Sequence, residues 1–308
     1  MTDNAEFVLS DSAEFVLSDD VARALGEGRA VVALESTIFS TLGLPAPANA
    51  DALAVCKQAV LDQGATPAVA AILDGRPHLG LTPDEEKRVL QGTRKVAERD
   101  LPVARAQKWD VGVTTVSATV ALAHAAGISV FATGGIGGVH RGSEITGDIS
   151  ADLDAIANHP VITVSAGAKA FLDLPRTLEY LETAGVPVLG WLHDWFPAFY
   201  TRSSGLPVPH RVEDEQTVCD VLRYRARPNT GVLLTVPIPE ADEIPESRIT
   251  AVLAAALKAS AGVTGPAVTP YVLGRIEKET DGESIPANLA LARNNAAIAA
   301  RIAVAMTK

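Results

Sequence analysis

The residues best suited to chemistry are concentrated between positions 131 and 154, in the segment FATGGIGGVHRGSEITGDISADLD. The four glycines of GGIGG leave backbone amides open to an anion, and His140 adds a donor beside them. Asp148, Ser150 and Asp152 follow closely. Glycines alone often mean only a tight turn, but this combination favours a phosphate or metal site.

The glycines do not match the familiar nucleotide-binding fingerprints. The G-x-G-x-x-G spacing of dinucleotide-binding folds is missing, and Ser143 stands where a P-loop that begins at Gly137 needs lysine. A single carboxylate such as Asp148 suits a hard ion that keeps most of its waters. We therefore expect Mn²⁺ or Mg²⁺ at this position rather than zinc.

Two further candidates follow apolar runs elsewhere in the chain. Glu35 comes directly after VVAL and is either a neighbour of a helix N-cap or an acid in a site. Lys169 follows the small residues SAGA. It is either an ordinary first-turn helix residue that faces water or an amine whose pKa is lowered by an apolar surround, which would make it a nucleophile toward a carbonyl carbon.

These side chains need a scaffold, and the hydrophobic pattern predicts one. Short runs rich in valine and isoleucine alternate with longer segments of helical period over almost the whole chain after residue 28. Such alternation predicts an α/β protein, a three-layer α/β/α sandwich with a largely parallel central sheet, whose ligands bind at the carboxyl ends of the strands. The predicted strands are 29–36, 67–73, 128–134, 161–167, 186–192 and 230–238, and the predicted helices are 49–63, 83–98, 115–126, 168–184, 214–224, 246–261 and 286–307.

A short repeat marks the N-terminus. The sequence AEFVLSD occurs at 5–11 and again at 13–19. Because this unit is too short to be a structural repeat, we predict that residues 1–20 form a variable arm and that residues 21–308 form a single domain.

The composition limits the possible partners and location. The 308-residue chain has a net charge of −11 and a pI near 5.0, which argues against a large surface for nucleic acid. It has no basic and apolar leader and no run of about 20 apolar residues, so neither a signal peptide nor a membrane segment is expected. Cys56 and Cys219 show no pairing pattern, which is typical of a reducing compartment. We expect a cytoplasmic protein.

Several longer segments carry a resemblance to one family. They are VALEST, ILDGRPHLGLT, KVAERDLP, TTVSAT, VFATGGIGGVHRG, DISADL, SAGAKAFLDL, TLEYLETAGVPVLG and NLALARNNAAIAARIA. In order and spacing, from about residue 20 to the C-terminus, they resemble the pseudouridine-5'-phosphate glycosidase (indigoidine synthase A-like) family. The resemblance implies an α/β/α fold, a homotrimer, a divalent ion that is commonly Mn²⁺, and an enzyme that makes or breaks the carbon–carbon bond between ribose 5-phosphate and uracil.

The resemblance also implies roles for individual residues. It makes Lys169 the amine that forms a Schiff base with C1 of the sugar, Glu35 the proton donor and Asp148 the metal ligand. The expected substrate-binding residues, to which His140 is added as a donor beside the glycines, are Lys95, Val116, His140, Ser150, Ala151, Asp152 and Asn288.

Some positions depart from the family pattern. The segment 36–45 is one residue longer and lacks a histidine, and Ile145 and Gly147 replace a histidine and a phenylalanine. Further changes fall at Val236 and at 190–193. A pocket that loses bulky and hydrogen-bonding groups would accept a substrate larger and less polar than uracil.

These departures resemble a C-ribosylating synthase of antibiotic biosynthesis within the same family. Our first expectation is therefore a C-glycosynthase that joins C1 of ribose 5-phosphate to an electron-rich aromatic, polyketide-type acceptor through a lysine Schiff base. The alternative is a pseudouridine 5'-phosphate glycosidase that releases uracil and ribose 5-phosphate. A catalytically idle phosphosugar-binding protein ranks below both, because Glu35, Lys95, Asp148 and Lys169 are all present.

Overall fold

The computed structural model describes residues 15–260, 262–263 and 268–307. Within them, eleven strands form one sheet with the order β1-β4-β3-β2-β7-β8-β11-β9-β10, and β5 and β6 pair beside the second half of β3. The strands are β1 Val16–Leu17, β2 Val31–Leu34, β3 Thr66–Leu73, β4 Arg76–Leu79, β5 Lys95–Val96, β6 Val111–Thr114, β7 Val130–Ala132, β8 Ile162–Ser165, β9 Val188–Trp191, β10 His210–Val212 and β11 Val232–Thr235.

The sheet is largely parallel, as predicted. Only the pairs of β3 with β4 and with β6 run antiparallel. The middle strands VVAL, ITVS and VLLT are buried along their whole length, as expected of parallel strands covered on both faces. All six strands predicted from the sequence are present, and the carboxyl ends of β2, β7 and β8 lie side by side.

Helices cover the sheet and complete the three-layer α/β/α arrangement. On one side α5 packs against α7, and on the other α12 packs against α2 and α9. None of the helices in the described residues is long and apolar enough to cross a membrane. The helices are α1 Asp19–Gly26, α2 Ala48–Asp62, α3 Pro83–Leu90, α4 Leu101–Ala106, α5 Val116–Ala125, α6 Ser143–Thr146, α7 Ala151–Asn158, α8 Leu174–Ala184, α9 Glu215–Arg223, α10 Glu246–Ala259, α11 Val268–Glu279 and α12 Ser284–Met306.

Two predicted helices are too long. The helix predicted over 83–98 ends at Leu90, because the chain turns at Gly92, where even a β-carbon would clash with Val113, and then enters β5. The helix predicted over 168–184 begins only at Leu174, where the Asp173 side chain accepts a hydrogen bond from a first-turn amide and caps the helix. Residues 168–173 are therefore free to form a turn at the end of β8.

Part of the predicted arm, residues 1–20, contacts the fold. The second copy of the repeat supplies β1, which pairs in parallel with β4, and Ser18, whose hydroxyl accepts a hydrogen bond from the amide of Val21 and caps α1. The first copy, at 5–11, lies outside the described residues.

Candidate active site

A cavity of about 310 Å³ opens at the carboxyl ends of β2, β7 and β8 and extends toward β5. Such a position is where ligands bind in open α/β sheets. The structure brings together all ten site residues predicted from the sequence, since each of them lines this cavity: Glu35, Lys95, Val116, His140, Asp148, Ser150, Ala151, Asp152, Lys169 and Asn288.

Glu35 follows β2 and is almost completely buried, with 8% of its surface exposed. The Thr133 hydroxyl, at the end of β7, donates a hydrogen bond to Glu35 Oε1. Burial raises the pKa of Glu35 from 4.5 to about 6, although the nearby Lys169 ammonium and the Thr133 hydroxyl act in the opposite direction. A carboxyl group with this pKa can exchange protons near neutral pH.

Lys169 lies in the turn after β8, so the alternative that it occupies the first turn of a helix is wrong. Its backbone amide donates to the carbonyl of Ile136 at 3.1 Å, and its Nζ donates to the carbonyl of Gly135 at 2.8 Å. These bonds aim the amine along the glycine segment and into the cavity.

Gly167 makes this turn possible. Its φ is +73°, and a β-carbon at this position would lie 2.0 Å from the carbonyl oxygen of Pro197. Only glycine fits both the left-handed backbone and the close approach. The small residues before Lys169 therefore serve its placement.

Lys95 reaches the same cavity from β5. Burial lowers its pKa, and the positive charge of Lys169 lowers it further, while Asp152 and Glu35 act against both effects. Two amines and two carboxylates thus influence one another across the cavity.

Asp152 connects the loops around the site. Its Oδ1 accepts a hydrogen bond from the amide of Ser117 at 3.0 Å, and its Oδ2 accepts one from the amide of Gly137 at 2.8 Å. A β-carbon on Gly137 would lie 2.8 Å from the same Oδ2. The carboxylate therefore holds the glycine segment against the start of α5.

The N-termini of two helices face the cavity. Val116 begins α5, and Ala151 begins α7 after the N-cap residue Ser150. The helix dipole makes such termini favourable for anions, although the Ser117 amide of α5 is already bonded to Asp152 and the Asp152 amide of α7 to the Ser150 hydroxyl.

Asp148 and His140 line one edge of the cavity. Their Oδ2 and Nδ1 atoms are 3.8 Å apart, and 36% of the Asp148 side chain is exposed. Burial lowers the pKa of His140, which Asp148 partly counteracts. No cluster of three or more His, Cys, Asp or Glu side chains suited to a metal occurs in the described ranges. A lone, accessible carboxylate fits an ion that keeps most of its waters better than a tightly caged one.

The rest of the cavity is more apolar. Asn288, on α12, donates to the hydroxyl of Tyr200 at 3.2 Å. Phe199 lines the cavity with its backbone in the left-handed region, at φ +63°. Phe199 and Thr133 line the cavity but were not predicted as site residues, although they lie in the segments PAFY and FATGG. A bulky residue with positive φ is strained, as is typical of functional sites.

The departures from the family pattern fall into two groups. Segment 36–45 lines the cavity through Thr37, Ile38, Leu42, Gly43 and Leu44. In contrast, Ile145, Gly147, Val236 and residues 190–193 do not belong to its lining, and 88% of the Ile145 surface is exposed. Only the first group therefore contacts the space where a substrate would lie.

Known proteins resemble this chain over almost its whole length. A family model described as "Indigoidine synthase A like protein" matches residues 20–305. The pseudouridine-5'-phosphate glycosidase of Methylobacterium nodulans is 50% identical over 298 residues, which cover 93% of this chain and 86% of that protein. The corresponding protein of Myxococcus xanthus is 47% identical over 296 residues, or 94% and 97% of the two chains.

Two solved structures share the fold. The prealnumycin C-glycosynthase AlnA, in complex with ribulose 5-phosphate, has a TM-score of 0.87 at 37% identity, covering 95% of this chain and 97% of AlnA. An indigoidine synthase A-like protein of Thermotoga maritima has a TM-score of 0.86 at 33% identity, covering 96% and 97%.

Proposed function

The chain belongs to the indigoidine synthase A-like family and is an enzyme that acts on a glycosidic bond, and from that premise we propose that it makes or breaks the carbon–carbon bond at C1 of ribose 5-phosphate through Lys169. One observation carries the proposal. The amine of Lys169 and the buried carboxyl of Glu35 meet in a single cavity, beyond the carboxyl ends of the parallel strands β8 and β2, which are both paired with β7.

The reaction needs both groups. A C-glycoside has no oxygen or nitrogen leaving group, so direct displacement would expel a carbanion. In the direction of synthesis, the neutral amine of Lys169 attacks the aldehyde of open-chain ribose 5-phosphate, and the resulting carbinolamine takes up a proton from solvent and loses water to give an iminium. A nucleophilic ring carbon of the acceptor adds to C1, and Glu35 takes the proton which that carbon loses. Attack by the sugar O4 then closes the ribose ring and releases Lys169.

Cleavage follows the same path in reverse. Lys169 opens the sugar ring at C1, and protonated Glu35 delivers its proton to the departing ring carbon. The electrons of the carbon–carbon bond pass to that carbon, while the lysine nitrogen stabilises C1 as the iminium. Water then hydrolyses the iminium to ribose 5-phosphate and free Lys169.

The phosphate of the substrate would bind to positively charged groups of the cavity. Lys95 and the N-terminal amides of α5 and α7 supply positive potential within one cavity. Asp148 would hold Mn²⁺ or Mg²⁺ mainly through water beside these groups, and a bound ion would add positive charge near the sugar phosphate.

By resemblance we also propose a homotrimer, which a measured mass in solution would test.

Pseudouridine 5'-phosphate is the substrate with the stronger support. The relatives at 47–50% identity are named for it, and the departures at Ile145 and Gly147 lie outside the cavity lining. An aromatic acceptor is the second candidate. It is favoured by the apolar wall of Leu42, Leu44 and Phe199 and by the likeness to AlnA, a C-glycosynthase.

One set of incubations separates the two candidates. The protein with Mn²⁺ is supplied with pseudouridine 5'-phosphate, and release of uracil is followed. In parallel, ribose 5-phosphate is supplied with uracil or with a naphthoquinone-type acceptor, and C-ribosylated product is sought. Lys169→Arg, which keeps the charge but forms no Schiff base, serves as the control. Uracil release without reaction of the aromatic acceptor supports the glycosidase, the opposite result supports the synthase, and inactivity in every incubation contradicts the proposed function.

A further inference from the structure

The strand register places a second polar group directly beside the proposed acid. β2 and β7 are parallel neighbours, with Leu34 opposite Ala132. Glu35 and Thr133 are the next residues on the two strands, so their side chains meet at the edge of the sheet. The Thr133 hydroxyl donates its hydrogen to Glu35 Oε1.

Within the described part of the chain, Thr133 is the only hydrogen-bond partner of the Glu35 carboxylate. In a protonated carboxyl group, the oxygen without the proton is the better hydrogen-bond acceptor. When Glu35 is protonated, a hydrogen bond donated by Thr133 to Oε1 therefore favours Oε2 as the oxygen that carries the proton.

The main chain of Thr133 is held independently of its side chain. Its amide donates to the carbonyl of Val164 on β8 at 3.0 Å. From the other layer, the Asn295 amide group on α12 donates to the carbonyls of Thr133 at 2.8 Å and Gly134 at 3.2 Å. Thr133 is 5% exposed, and its hydroxyl is thus fixed at the end of a rigid strand.

We propose that Thr133 is a positioning residue that keeps Oε1 of Glu35 as a hydrogen-bond acceptor, so that Oε2 carries the proton exchanged with the substrate carbon. The inference rests on the proposed function, because it assigns the oxygen through which Glu35 acts. Proton transfer to carbon needs a fixed donor, and a carboxyl group that rotates would deliver its proton from either oxygen.

Because charged groups surround Glu35 and set its pKa, the pH dependence of activity reports the loss of the Thr133 hydroxyl. Lys169 from the turn after β8, Lys95 from β5 and Asp152 from α7 face the carboxylate together with Thr133. Loss of the hydroxyl removes a hydrogen bond that is stronger to the carboxylate than to the protonated carboxyl group, and so raises the pKa of Glu35. Cleavage needs protonated Glu35 and synthesis needs the carboxylate. The alkaline limb of cleavage and the acid limb of synthesis therefore both move to higher pH.

Thr133→Val tests this prediction, since valine has nearly the same shape and suits a strand. We expect kcat to fall by about tenfold to a hundredfold and both limbs to move up by about one to two pH values. Thr133→Ser restores the hydroxyl and should return the profile close to that of the wild type.

Thr235→Val is the matched control. Thr235 is a fully buried threonine at the end of β11 whose hydroxyl donates to the carbonyl of Leu189 at 2.8 Å, and it does not line the cavity. This variant should lose stability to a similar extent and keep the wild-type pH profile.

The outcomes separate this inference from the function on which it rests. If the wild type is inactive with every substrate, the proposed function fails. If the wild type is active but Thr133→Val shows unmoved limbs, or a uniform loss at all pH values that serine does not restore, the positioning role of Thr133 is overturned. Moved limbs with rescue by serine support it.

Discussion

Replacing Glu35 with glutamine tests whether the buried carboxylate of Glu35, when ionised, lowers the free energy of unfolding. Glutamine has nearly the shape of protonated glutamic acid but cannot ionise. In the folded protein the pKa of Glu35 is about 6, against an ordinary value of 4.5. This difference corresponds to about 2 kcal/mol of unfolding free energy.

The sign of the effect follows from the direction of the shift. Because the folded pKa is raised, ionising Glu35 destabilises the fold, and the cost is fully present above about pH 6 and absent below pH 4.5. Glu35→Gln should therefore be more stable than the wild type by about 2 kcal/mol at pH 7.5 and by less than about 1 kcal/mol at pH 5. Its turnover should fall by about a hundredfold or more.

Reversible denaturant unfolding at both pH values measures this difference. Glu182→Gln, at an exposed position on α8, is the matched control and should change stability by less than about 0.5 kcal/mol. A Glu35→Gln protein that is less stable than the wild type, or a gain that does not depend on pH, would refute the reasoning. Either result would mean that the carboxylate is well stabilised in its charged form.

Three further predictions test other parts of the account. Asp148→Asn should raise the Mn²⁺ concentration needed for half-maximal activity by about tenfold or more, and an unchanged metal titration would remove Asp148 as the ligand. Gly167→Ala should lower the free energy of unfolding by at least about 2 kcal/mol more than Gly205→Ala does, because both glycines have positive φ but only Gly167 has a close neighbour. Equal losses of stability in thermal unfolding would contradict this. Ser18→Ala should lower the free energy of unfolding by about 1 kcal/mol because the cap of α1 is lost, whereas Ser18→Asp keeps a capping side chain and should not. An unchanged melting temperature for the alanine variant would show that the cap does not stabilise the protein.

The sequence predicts the sheet and the gathering of the site well, for a physical reason. Buried parallel strands read as continuous apolar runs, and the polar residues that end them must meet at one edge. Glu35 and Lys169 were found in this way, and both line the cavity. Asp148 was found from the chemistry of the glycine segment, and the roles of Lys95, Val116 and Asn288 came only from resemblance to a family.

The sequence predicts less well the features that depend on register and local capping. Thr133 looks like an ordinary strand residue until the pairing of β2 with β7 places it beside Glu35. The helix predicted to begin at residue 168 shows why caps matter, because the cap at Asp173 leaves Lys169 in a turn. The short strand β1 was missed because its two residues form a strand only through pairing with β4.

Trapping the covalent intermediate tests the central claim most directly. Ribose 5-phosphate and borohydride are added together to the wild-type protein and to Lys169→Arg, and intact mass with peptide mapping locates any adduct. The wild type should gain the mass of one reduced ribose 5-phosphate unit on Lys169, and Lys169→Arg should gain none. An unmodified Lys169 in a protein that binds the sugar phosphate and turns over pseudouridine 5'-phosphate would contradict the Schiff-base mechanism.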